Sequence, residues 1–333
     1  MIMTAANPVE TVQQIAGGYC LPRCLHVVAD LGVADELEET SRSADELAEA
    51  VGAQADALGR ALRLLAAHGV FETDGESFRH SPASRLLRSD HTQSMRSFAR
   101  MFGLPICWET SGAMKHSLQT GLPAAGEVFG ESFFDYLAKR PQEGQVFNEA
   151  MAAKAHGAIA GILSSYDLSG CEVIGDIGGG GGHLLRAILA EAAPSARGVL
   201  FELPHVIAEA SEIESERLTL QPGDFFRDPL PTCDAYLLME VVHDWGDEES
   251  AAILRAIREA APTGAKLLVI ETIVPDDPGP DWSKMLDIHM LTLLGGRQRS
   301  EQEYEALLAG AGFTLERTID THAGVSILES AAT

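Results

Sequence analysis

Apolar and polar positions follow two different rhythms along this chain. From residue 11 to about residue 160 apolar residues return every three or four positions, the spacing that covers one face of a helix. Ile15, Cys20, Leu21, Cys24, Leu25, Val28 and Leu31 form the first such face, and Gly32 is its stop. Ser43 followed by Glu46 is a capping box and predicts a helix through Leu47 and Val51. A further helical run carries Leu58, Leu62, Leu65 and Val70. The stretch 71–80 (FETDGESFRH) predicts two short strands turned at Asp74-Gly75. Helix, helix and hairpin together make a winged-helix pattern. More helices are predicted over 84–160, with breaks near Pro105, Gly121–Gly126 and Pro141.

From about residue 170 the rhythm changes to short apolar strands alternating with helices. Strands are predicted at 172–177, 198–202, 218–221, 235–240, 266–271, 314–319 and 325–328. Helices fall between the first five, which requires parallel pairing with crossovers. Only DTHAG separates the last two, too short for a crossover, so these pair antiparallel. The expected fold class is α/β: a Rossmann-like seven-stranded sheet with the last strand antiparallel, behind a mainly helical, winged-helix-like N-terminal part. The expected division is 1–105 for the winged part, 106–160 for connecting helices and 161–333 for the sheet.

Composition narrows the function. The 333 residues hold 24 basic and 49 acidic side chains, a formal charge of −25, and residues 161–333 alone carry −18. Such an excess opposes nucleic-acid and anionic-membrane partners, which are bound through basic patches. The winged part offers DNA no better surface: residues 41–100 balance eight Arg against eight acids, and the would-be recognition helix is apolar at Leu58, Leu62, Leu64 and Leu65. No apolar run reaches 18 residues, so no membrane span is expected. The start, MIMTAANPVE, lacks the features of a signal peptide. Five cysteines without a CxxC pair fit reduced thiols, and the expected location is the cytoplasm. There is no HExxH and the eleven histidines are scattered, so no metal site is expected.

The chemistry concentrates at strand ends. Strand 172–177 runs into five consecutive glycines, Gly178 to Gly182, ahead of a helix. The dinucleotide fingerprint GxGxxG fails in every register, because its last position falls on His183 or Leu184. What fits is Asp176 two residues ahead of Gly178 and Gly180: a carboxylate there repels a pyrophosphate and attracts an ammonium or sulfonium. Glu202, at the tip of the second strand, stands where folds of this type grip vicinal ribose hydroxyls. Asp224 beside Phe225 and Phe226 suits an exocyclic amine and a stacked base; its bland role is a cap ahead of a core Phe. A place for an amino-acid tail, an acid for ribose and an acid for adenine describe S-adenosylmethionine. His243 lies just past the fourth strand, on the side where open α/β sheets bind ligands, and an imidazole there suits removal of a hydroxyl proton. Glu271, ending the next strand, is placed to fix its tautomer.

With these residues in view, the chain resembles the S-adenosylmethionine-dependent O-methyltransferases of small aromatic natural products, a group that includes plant caffeate-type and acetylserotonin enzymes and bacterial polyketide and phenazine enzymes. The likeness spans nearly the whole chain. It is carried by SLQTGLPAAGEVFGESFFDYL (117–137), FNEAM (147–151), DIGGGGGHLL (176–185), FELPHVI (201–207), GDFF (223–226), YLLMEVVHDWGDEES (236–250) and GGRQRSEQEYEALLAGAGF (295–313). The resemblance implies a cofactor site at Asp176, Gly178, Gly180, Glu202, Asp224, Phe225, Met151 and Trp245, with S-adenosylhomocysteine as product. It implies His243 as base, flanked by Asp244, with Glu271 as partner. It implies an intertwined homodimer through the N-terminal part, and a substrate pocket lined by Met101, Phe102, Trp108, Phe134, Phe147, His289, Met290, Leu294 and Gln298.

The chain departs from that pattern twice. Many plant members have a Lys four residues before the histidine, where Met239 stands here, and many have a second acid near the base, where Gln298 stands. If Glu271 were the only acid left, the second change would weaken stabilisation of the imidazolium. The expected reaction is methylation of a phenolic or enolic hydroxyl of a small aromatic molecule, without a metal. The alternatives are an N, S or C acceptor, or a non-methylating relative.

Overall fold

The structure, a computed structural model, describes residues 7–332. The chain divides into two units. One holds the residues up to Trp108 together with Leu137–Lys154, the other Glu109–Tyr136 together with Ala155 onward. Segment 106–160 is thus shared between the units.

In the first unit the opening helical run is broken at Gly17-Gly18 into helices Pro8–Gly17 and Cys20–Leu31. Gly32 ends the second in the left-handed conformation, φ 73°. The predicted capping box forms: the Ser43 N–H donates to the Glu46 carboxylate at 2.8 Å, and the Ser43 hydroxyl accepts from the Glu46 N–H. Strands β1 (Arg42–Ser43), β2 (Phe71–Asp74) and β3 (Ser77–His80) form an antiparallel sheet in the order β1-β3-β2. Two residues are too short to show alternation, so β1 left no mark in the sequence. Val28, Val33, Leu47, Leu58, Leu62, Leu65, Phe71 and Phe78 make the core. Helix Pro8–Gly17 contributes nothing to it: Val9, Val12 and Ile15 are all exposed.

The second unit is built on seven strands: β4 (Val173–Ile177), β5 (Arg197–Glu202), β6 (Leu218–Pro222), β7 (Ala235–Met239), β8 (Lys266–Glu271), β9 (Phe313–Asp320) and β10 (Ser326–Ala332). Their order is β6-β5-β4-β7-β8-β10-β9. The first five run parallel, and β10 lies antiparallel to both β8 and β9, as the short connection requires. Leu237 and Leu238 are buried on opposite faces, which is why these strands read as continuous apolar runs. Ile177, Phe201, Leu238 and Val269 pack under helices Asp247–Ala260 and Glu301–Gly310, through Ile253, Leu254, Ile257, Tyr304 and Leu308. Ile174, Leu200, Leu237 and Ile270 pack on the other face with Leu184, Leu185, Ala158 and Ile162. Each such Leu or Ile contributes about 1.5–3 kcal/mol by burial. The reversed strand is also tied by charge: Glu329 accepts from Lys266 at 2.7 Å, Tyr166 at 2.5 Å and Arg317. Strand order reverses between β4 and β7, so a crevice opens there beyond the carboxyl ends of the strands, where the loops leaving β4 and β7 part.

Candidate active site

The turn after β4 is built for close approach. Gly178, Gly180 and Gly182 have φ of 72°, 55° and 67°, values that L side chains rarely adopt. The Gly178 N–H donates to the Phe201 carbonyl at 2.8 Å, pinning the turn to β5. Asp176 lies beneath it, 1% exposed, and a Cβ on Gly179 would stand 2.4 Å from its carboxyl group. Burial, then the neighbouring Glu202 charge, pushes the Asp176 carboxyl up to about 7. The Leu185 N–H opposes this electrostatically, yet neither Asp176 oxygen has a hydrogen bond of normal geometry. Glu202 accepts from the Gly180 N–H at 3.1 Å and the Leu203 N–H at 2.7 Å, and burial raises its pKa too.

Two carboxyls enclosed this way are short of positive charge. A ligand with an ammonium or sulfonium group supplies it, so the orphaned Asp176 oxygens and the glycine turn fit S-adenosylmethionine. The Phe225 ring stands beside Gly178, and two further rings pack with it. Phe226 is 4.8 Å from Phe225 and 4.7 Å from Trp245, and Phe225 is 6.0 Å from Trp245. Asp224 accepts from the Phe226 N–H at 2.9 Å, so it performs the local capping role as well as sitting at the aromatic cluster. Its other oxygen is 3.4 Å from Arg227 Nε.

His243 is buried in a single helical turn, Val242–Asp244, directly after β7. Fully buried Glu271 accepts the His243 backbone N–H at 3.2 Å and holds ring Nδ1 at 3.2 Å. The Gln298 amide lies 2.7 Å from Nδ1, and Asp244 Oδ1 lies 3.3 Å from Nε2. A carboxylate only accepts, and one stands at each ring nitrogen; fully buried Glu271 cannot turn to solvent whereas Asp244 is partly exposed, so the single proton of the neutral ring is assigned to Nδ1. The atom nearest Nδ1 is the Gln298 amide nitrogen; turning the amide over brings its otherwise unpartnered oxygen to accept from the Nδ1 proton. That assignment makes Nε2 the acceptor nitrogen, with Asp244 beside it. Asp244 gives the imidazolium a second carboxylate, so Glu271 is not the only acid at the ring.

The residues expected around the substrate separate. Phe134, His289, Met290, Leu294 and Gln298 belong to the sheet-containing unit, whereas Met101, Phe102, Trp108, Phe147 and the cofactor candidate Met151 belong to the other. Gln298 is buried on the Nδ1 side of the base, with its amide 2.7 Å from that nitrogen. Trp108 stacks on Arg23 at 4.8 Å and edge-on against His26 at 5.8 Å, beside an apolar cavity of about 400 Å³. Burial of His289 lowers its pKa and keeps it neutral. Among the described residues, no group of three His, Cys, Asp or Glu is placed to hold a metal ion, and no helix is long and apolar enough to cross a membrane.

Sequence reasoning missed the strap behind the base. The Arg297 N–H donates to the His243 carbonyl at 2.9 Å, and a Cβ on Gly296 would stand 2.1 Å from that oxygen. The glycine pair opening GGRQRS was the available signal, since only glycine lets one backbone cross another so closely.

Comparison with known proteins identifies the family. Residues 112–314 match the O-methyltransferase domain family, and residues 13–90 match the O-methyltransferase dimerisation domain. A phenazine O-methyltransferase of Lysobacter antibioticus is 40% identical over 323 residues, which is 95% of this chain and 94% of that protein. An 8-amino-8-demethylriboflavin N,N-dimethyltransferase of Streptomyces davaonensis is 37% identical over 304 residues, 87% of this chain and 86% of that protein. Among solved structures, an O-methyltransferase from neocarzinostatin biosynthesis, in complex with S-adenosylmethionine and 2-hydroxy-5-methyl naphthoic acid, is similar with a TM-score of 0.79 and 34% identity, over 94% of this chain and 96% of that one. The chain belongs to the S-adenosylmethionine-dependent O-methyltransferase family, in its bacterial natural-product branch.

Proposed function

We propose that the protein methylates a phenolic or enolic hydroxyl of a small aromatic natural product, with His243 as general base and Glu271 and Asp244 as its partners. The observation that carries this reading is the pairing at the ring: Glu271 and Gln298 hold Nδ1, which leaves Nε2 to take a proton. When bound, S-adenosylmethionine supplies a methyl group on a positively charged sulfur. Glu202 and the Gly178–Gly180 turn would hold that molecule, Asp176 would supply negative potential to its cationic groups, and Phe225 and Trp245 would offer it aromatic surface. Met151 belongs to the same set by resemblance. His243 accepts the hydroxyl proton at Nε2, and Asp244 and Glu271 stabilise the imidazolium that results. Met101, Phe102, Trp108, Phe134, Phe147, His289, Met290 and Leu294 remain the candidates for an apolar substrate surface. The protein acts as a homodimer through the N-terminal unit, a reading supported by the dimerisation-domain match and by exposed Val9, Val12 and Ile15.

His243→Ala tests the chemistry. With hydroxylated phenazines and naphthoates as acceptors and mass spectrometry of the products, kcat falls by about 10²–10⁴ while S-adenosylhomocysteine binds as before. Unchanged turnover would remove the base assignment. The 37% identical N,N-dimethyltransferase favours a second reading, an aromatic amine as acceptor. An aminated acceptor methylated at nitrogen by the His243→Ala variant would select it.

A further inference from the structure

The loop that carries His243 starts in a strained conformation. Glu240, the residue after β7, has φ 54°, in the left-handed region that costs a non-glycine residue about 1–3 kcal/mol and persists only where its surroundings over-determine it. The Glu240 N–H donates to the Ile270 carbonyl of β8 at 2.9 Å, and the turn that follows is braced by one strap, residues 296–299, chiefly through Arg299. This side chain is 1% exposed. Its Nη1 donates to the Val242 carbonyl at 3.1 Å and its Nη2 to the Trp245 carbonyl at 3.0 Å, so the fork grips the backbone on both sides of His243-Asp244. Nε and Nη2 donate to Asp247 Oδ1 at 3.1 and 2.8 Å. Ser250 completes the bracket: its hydroxyl accepts from Nη2 at 3.2 Å and contacts the same two carbonyls at 3.2 and 3.3 Å. The Tyr304 ring lies 5.9 Å from the guanidinium carbon.

A buried guanidinium is costly unless its donors are matched. Here they are divided between the carbonyls of Val242 and Trp245, which flank His243-Asp244, and Asp247 and Ser250 in the first turns of the helix that follows. Gln298 sits between Arg297, bound to the His243 carbonyl, and Arg299, bound to the Val242 and Trp245 carbonyls. The residue that orients Nδ1 is therefore itself held by its two neighbours.

We propose that Arg299 is a positioning residue for methyl transfer: with Asp247 and Ser250 it locks the Val241–Gly246 turn so that His243 meets Glu271 and Gln298 through Nδ1 and keeps Nε2 as acceptor. This rests on the reading of His243 as base. Lysine keeps the charge and loses the fork, so Arg299→Lys isolates the geometry. Asp247→Asn loosens the fork from its solvent-exposed end and spares the core.

The test uses full-length protein with S-adenosylhomocysteine bound and ¹⁵N-labelled histidine, the His243 signals being identified by their loss in His243→Ala. In the wild type His243 is a single tautomer protonated at Nδ1. In both variants the tautomers mix, and amide exchange over 241–246 speeds up by about tenfold, while β4 to β8 exchange as before and ligand affinity stays within about twofold. Wild-type His243 signals and wild-type loop exchange in either folded variant would overturn the proposal, as would equal loss of protection in loop and sheet. The readout needs no acceptor. Full turnover by His243→Ala refutes the base, whereas an unmoved loop in Arg299→Lys refutes the lock.

Discussion

At the His243 imidazole, two carboxylates and one amide share two ring nitrogens. Glu271 accepts at Nδ1 and is joined there by Gln298, while Asp244 waits at Nε2. A glutamine where many relatives have an acid moderates the negative potential at Nδ1 and preserves the hydrogen bond. Gln298→Glu restores that charge and stabilises the imidazolium, so the acid limb of the kcat profile moves to higher pH by about one unit. A profile that does not move would separate Gln298 from the base. The pairing of His243 with Glu271 was legible in the sequence because both stand at the ends of adjacent parallel strands. The second acid was also in plain view, next in the chain to His243, yet neighbours in sequence do not reveal which ring nitrogen a side chain reaches. Arg299 gave no signal at all. A buried arginine and a surface arginine look alike until the fold shows the first enclosed by the Val242 and Trp245 carbonyls, Asp247 and Ser250.

At the scale of elements, the junction of β4, its glycine turn and the tip of β5 forms a site tuned by burial. The Asp176 carboxyl, pushed up to about 7 from an ordinary 3.8, ionises in the unfolded chain at lower pH than in the folded one. Folding therefore takes up a proton between those values, and stability falls as pH rises through that window. A cationic ligand favours the ionised form, so its binding releases the proton and tightens with pH. The affinity for S-adenosylmethionine, followed by calorimetry, is expected to rise between pH 6 and pH 8 in the wild type. In Asp176→Asn it is weaker and flat, while the ligand-free variant melts at a higher temperature at pH 8. An affinity independent of pH in the wild type would uncouple Asp176 from the ligand. The sequence identified this acid by its place before the glycines. It did not show that Gly179 covers the carboxyl, which turns a direct contact into an electrostatic one.

For the whole molecule, helix Pro8–Gly17 leaves Val9, Val12 and Ile15 in solvent although its amphipathic spacing calls for a partner. Ile15→Asp removes no packing within the chain and is expected to leave the melting of a single subunit unchanged. It should move the mass measured by sedimentation from two copies toward one, and an unaltered dimer would place the interface elsewhere. The sequence by itself determined the seven strands, the antiparallel last pair, the capping box at Ser43 and the acids at the strand tips. These follow from local periodicity, from connections too short for a crossover and from turn chemistry, all written within a few residues of one another. It also carried a likeness specific enough to name the cofactor. Tertiary structure alone decided that segment 106–160 divides between two units, that Gln298 lies behind the base, and that Arg299 holds the turn carrying it. Each of those depends on which distant backbone atoms meet in the folded chain. Burial and hydrogen-bond pairing between residues some fifty positions apart leave no periodic trace from which they could be read.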